Sequence, residues 1–161
     1  MVKNLVLIAA IFVLALYSCE KEANDNNDSQ HPPNDTTTLI SFYNGKLSHQ
    51  QGNNCQSCHQ KEGSGKGWFN ISGSVYDSTL MQVFPNATVR LFDGINGTGN
   101  IIYTLEVDSL GNFYTTDSID FGTGLYVKVE GVQANVQMGS AITSGACNKC
   151  HGVTTNRIWT K

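Results

Sequence analysis

The pattern C-x-x-C-H occurs twice, as Cys55-Gln56-Ser57-Cys58-His59 and as Cys147-Asn148-Lys149-Cys150-His151, and ten residues follow the second copy. Two thiols three positions apart with an adjoining imidazole meet the needs of covalent haem attachment. The cysteines bond the two vinyl groups and the histidine ligates the iron. Ten trailing residues leave no room for the usual single-haem arrangement, in which a C-terminal helix packs on an N-terminal one. The motifs are therefore expected to bracket whatever core the chain builds, with neither flank long enough to have its own. A tethered haem adds its apolar faces to such a minimal core.

Between the motifs the apolar period is two. Phe69, Ile71, Gly73 and Val75 alternate with polar residues, as do Ala87, Val89 and Leu91 after the Pro85-Asn86 turn. Ile101, Tyr103, Leu105 and Val107 follow a Gly/Asn-rich loop, and Leu125, Val127 and Val129 make another run. Short alternating runs between Gly, Asn and Asp turns predict half-buried strands, six in number, in a small antiparallel β-sandwich. The expected class is mainly β, with a scaffold at 68–136 between haem-binding segments at 39–67 and 137–161. The succession Gly73-Ser74-Val75, Pro85-Asn86-Ala87-Thr88-Val89 and Asp108-x-x-Gly111-x-Phe113 resembles carboxypeptidase regulatory-like (transthyretin-type) modules. That resemblance implies an architectural role, with loops open to a partner. The stretch carries no His or Cys and no paired carboxylates for acid–base work.

The chain begins with Lys3 and an unbroken apolar run, Leu5 to Tyr17. Thirteen such residues are fewer than the ~20 a spanning helix needs, so residues 1–18 read as an export signal. The junction Leu16-Tyr17-Ser18-Cys19 resembles a bacterial lipobox, which implies cleavage before Cys19 and its lipidation; a plain secretory signal is the alternative. Residues 19–38, with Pro32-Pro33 and hardly an apolar side chain, are expected to be a disordered tether. The implied location is the outer membrane of a bacterial envelope, facing the periplasm or the cell surface, where c-type haem is attached after secretion. The glycine run from Gly63 to Gly67 lacks the register of a phosphate-binding loop and reads as a flexible connector.

Five cysteines divide without remainder: four in the motifs and Cys19. Cys55, Cys58, Cys147 and Cys150 are thus candidates for haem thioethers, and His59 and His151 for proximal ligands of two haems c. Two C-x-x-C pairs would also suit a tetrahedral zinc site or two local disulfides. Neither explains a histidine after the second cysteine both times. His49, six residues before Cys55, is the better candidate for a distal ligand, and Met138 the other. His31 falls in the tether, and Met81, among Leu80, Val83 and Phe84, is expected to pack in the sandwich. The segment Ser48-His49-Gln50-Gln51-Gly52 before the first motif resembles small two-haem cytochromes of exported bacterial lipoproteins. Trp68 and Trp159 are candidates to pack on haem, and Arg157 to pair with a propionate.

A formal charge of −3 without a basic cluster argues against nucleic acid as a partner. The expected function is electron relay between redox proteins of the envelope, with no substrate bond made or broken. The rival is a surface-anchored binding or adhesion module whose cysteines are zinc or disulfide staples.

Overall fold

The computed structural model describes residues 37–161. The export segment, Cys19, His31 and nearly all of the tether lie outside the described residues. The chain folds as a small, mainly β sandwich of two sheets.

The strands are β1 (Ile71–Tyr76), β2 (Thr88–Phe92), β3 (Ile101–Glu106), β4 (Asn112–Thr115), β5 (Tyr126–Glu130) and β6 (Asn135–Gln137). Two further pairs of residues complete the count, β7 (Gly145–Ala146) and β8 (Ile158–Trp159). One sheet has the order β3-β2-β5-β6 and is antiparallel throughout. The other has the order β4-β1-β7, with β8 also on β1; β4 is antiparallel to β1, whereas β7 and β8 run parallel to it. The expected antiparallel β-sandwich is what the chain forms, with parallel strand pairing confined to the two-residue strands β7 and β8. The parallel pairs arise because the segment carrying the second motif returns to β1 by a long route and enters in the same direction.

Alternation placed the core residues correctly. Ile71 and Val75 of β1, Val89 and Leu91 of β2, Leu105 of β3 and Phe113 of β4 are buried together with Val127 and Val129 of β5. The outer half of β3 departs from it: Ile101 and Ile102 lie exposed where the edge strand runs past the facing sheet. Met81 departs too. It stands 73% exposed in the β1–β2 turn, because Asp77 accepts bonds from the Thr79 and Gln82 N–H groups and closes that turn outside the core.

The flanks are not separate from the scaffold. Leu39 to Ser41 run along the outer edge of β4, with the Ser41 N–H donating to the Tyr114 carbonyl and the Thr116 N–H to that of Leu39, both at 2.9 Å. β1 is buried at all six positions. A strand read as half-buried is covered on both sides: Ile71 and Val75 face the core, while Ser72, Ser74 and Tyr76 lie under the segments that carry the two motifs.

Candidate functional site

Identical spacing gives the two motifs nearly identical backbones. Cys55–Ser57 and Cys147–Lys149 each form a single 3-10 turn. The Cys58 N–H bonds the Cys55 carbonyl at 3.2 Å and the His59 N–H bonds it at 2.9 Å; the matching bonds to Cys147 are 3.2 Å from Cys150 and 3.0 Å from His151. Cys58 has φ −111° and Cys150 φ −110°. Residues at i, i+3 and i+4 of a turn share a face, so each motif presents two thiols and an imidazole together.

The imidazoles are oriented in the same way. Nδ1 of His59 lies 2.8 Å from the Lys66 carbonyl, and Nδ1 of His151 lies 2.7 Å from that of Asn156. A carbonyl only accepts, so Nδ1 carries the proton and Nε2 keeps its lone pair. Metal-ligating histidines are set up by this kind of outer bond. Burial also lowers the pKa of His59 below the ordinary histidine value, the Lys66 carbonyl opposing, which favours the neutral, ligating form.

His59 is further fixed from both faces. Its ring stacks on Phe69 at 4.1 Å with 6° between planes, and Phe69 stacks in turn on Tyr114 of β4 at 4.8 Å. On the other face sits Gly65, where an added Cβ would lie 2.8 Å from both Cγ and Nδ1 of the imidazole. The glycine run is therefore a close wrap and not a loose connector: the Gly65 N–H bonds the Cys58 carbonyl at 2.9 Å, and the Phe69 N–H bonds that of His59 at 3.0 Å. Replacing Gly65 with Ala should cost about 1–3 kcal/mol, since the ring cannot move away through Phe69. Denaturant titration of the purified protein reads this, and an unchanged midpoint would show that the wrap yields freely.

The structure brings His49 beside His59 and packs Met138 against the core. The His49 ring centroid is 5.9 Å from that of His59, with planes tilted by 39°. Its backbone carbonyl accepts from Nδ2 of Asn112 at 3.3 Å. Met138 follows β6, bonds its N–H to the Val127 carbonyl and packs its side chain against the core. Trp68 lines a cleft with Asn70, Thr116 and Asp117, and the aromatic ring on the first histidine is Phe69. Arg157 lies 4.4 Å over the Tyr76 ring and donates from Nη1 to the Leu80 carbonyl at 2.8 Å. Trp159 pairs with Tyr76 in the β8–β1 ladder.

The motifs meet beside the middle of β1. Burial pushes the Cys147 thiol up to about 12, with Cys55 near enough to add to the shift. Cys55 is raised by burial as well. Among the described residues, no three His, Cys, Asp or Glu side chains converge where one ion could sit. As folded, the four thiols do not make one tetrahedral site.

Sequence reasoning passed over Phe69, Gly65, Ser74 and Asn148. Phe69 was legible as an aromatic at strand spacing, but nothing local distinguished a core ring from one stacked on a histidine. Comparison with known proteins returned no matching family model, curated protein or solved structure.

Proposed function

We propose that this chain is a two-haem c-type cytochrome that relays electrons at the cell envelope. The observation that carries the reading is the repeated geometry of the motifs: a 3-10 turn begun by the first cysteine and capped by the second, the histidine N–H bonded back to the first cysteine's carbonyl, and Nδ1 committed to a backbone carbonyl in both copies. Cys55 and Cys58 would hold one haem and Cys147 and Cys150 the other, with His59 and His151 as proximal ligands. When bound, each haem supplies a reversible one-electron couple. The chain's own residues tether it, orient the ligating nitrogen and exclude water from one side.

His49 is the distal ligand we assign to the first haem. Two imidazoles on one metal, each with a bond of about 2.0 Å, have ring centres roughly 6 Å apart. The observed 5.9 Å is compatible with that. Cys19 anchors the chain by lipid in this reading, and among the described residues no helix is long and apolar enough to cross a membrane. Partners are redox proteins of the envelope, reached by a chain with a modest negative charge.

Expressed in a host that exports the chain and attaches haem, the protein should be red and heavier by two haems, with a c-type band on reduction. Replacing Cys55 and Cys58 together with Ala should remove one of the two. A colourless product that binds zinc through its cysteines would establish the rival reading.

A further inference from the structure

The second segment lays two short strands along one edge of β1 and leaves a gap between them. Hydrogen-bonding groups alternate sides along a strand, so Ser72, Ser74 and Tyr76 all address that edge. β7 pairs with Ser72, and the Thr160 N–H reaches the Tyr76 carbonyl at 3.0 Å. Opposite Ser74 the partner is a side chain: the Ser74 N–H donates to Oδ1 of Asn148 at 3.2 Å.

The same carboxamide donates from Nδ2 to the Asn53 carbonyl at 3.0 Å and to Oγ of Ser74 at 3.1 Å. Asn148 is 3% exposed and sits between the two cysteines of the second motif. Asn53 lies two residues before the first cysteine of the first motif. The Ser74 hydroxyl extends the tie, accepting from the Gly52 N–H at 2.9 Å and donating to Oδ1 of Asn112 at 2.5 Å. Asn112 in turn holds the His49 carbonyl. With one donor and two acceptors engaged, the hydroxyl is at full capacity. Buried polar ties of this kind are costly to break and so hold one geometry.

We infer that Asn148, seated in the β1 gap against Ser74, is a positioning residue that fixes the separation and orientation of the two haem sites, and with them the coupling between the haems. The inference rests on the two-haem reading and deepens it: the pair acts as one redox unit whose geometry the protein sets. These side-chain bonds run from one motif to the loop before the other, so they join the two sites directly.

The test uses the full protein loaded with haem. Pulsed EPR between the two ferric irons should give a single narrow distance distribution in the wild type. Asn148→Ala should lose that narrow distribution and reduce the separation between the two midpoint potentials, while each haem keeps its absorption spectrum. Lys149→Arg, which keeps the charge at an exposed position of the same motif, should leave both the distribution and the separation unchanged. If Asn148→Ala fails to take up two haems by mass, Ser74→Ala reads the same tie from the scaffold side, with the same direction expected. Two haems with an unchanged distribution in the variant overturn this inference alone. A protein that takes up no haem overturns it together with the reading beneath it.

Discussion

Replacing His49 with Ala should convert one of the two haems from low-spin to high-spin and leave the other as it was. The argument is one of ligand field and placement. A second imidazole holds haem iron in the low-spin state; water or an empty position does not. The His49 ring lies 5.9 Å from that of His59, and Asn112 fixes its backbone. The side chain is exposed, so the substitution removes little packing, and unfolding stability should stay within about 0.5 kcal/mol of wild type. Met138 gives the opposite signature. Its side chain packs on the core, so Met138→Ala should cost about 2 kcal/mol and leave the spectrum alone. EPR and absorption spectra of the ferric proteins check both, and a low-spin spectrum in the His49 variant removes that residue as a ligand.

Gly145→Ala should be among the most damaging single changes in the chain. A Cβ at this position would lie 2.2 Å from the Asn70 carbonyl oxygen and 2.4 Å from the Ile71 Cα. Both are backbone atoms at the start of β1, the central strand of the mixed sheet, so no rotamer change relieves the clash. The β7–β1 ladder at Ile71↔Gly145 and Ser72↔Ala146 must open, which lifts Cys147 off the core and draws Asn148 from its gap. At least about 3 kcal/mol should be lost, at the severe end of overpacking. The second haem should also become more exposed than the first. Denaturant unfolding gives the first quantity, and haem-specific midpoint potentials give the second. A loss under about 0.5 kcal/mol would mean that the second segment docks elsewhere.

Much of this architecture is readable from the chain, and the limits have physical causes. Period-two alternation located β1, β2, β3 and β5 because burial on one face imposes that spacing on any strand. It misjudged β1 as half-covered, since Ser72 and Ser74 are polar and polar residues read as solvent-facing. Their hydroxyls instead lie under the segments that carry the two motifs, a contact set by tertiary docking with no local pattern. The motifs declared the thiols and imidazoles, because spacing within five residues is a local property. That Cys55 and Cys147 meet depends on strand pairing between distant parts of the chain. Met81 looked like core because its neighbours Leu80, Val83 and Phe84 are apolar; the Asp77 turn turns it outward.

The parallel seating of β7 and β8 on β1 also bears on the order in which the molecule assembles. Each C-x-x-C-H turn closes through bonds within five residues and can form early. Bringing the two into register needs the Ile71↔Gly145 and Val75↔Ile158 pairings, whose loop-closure entropy is met only once the intervening strands are in place. In the proposed reading, a chain stopped part-way through folding would hold two competent but unrelated haem turns. The pair is a late product of folding, and any lesion that slows the docking of the last segment should appear first as lost communication between haems and only later as lost haem.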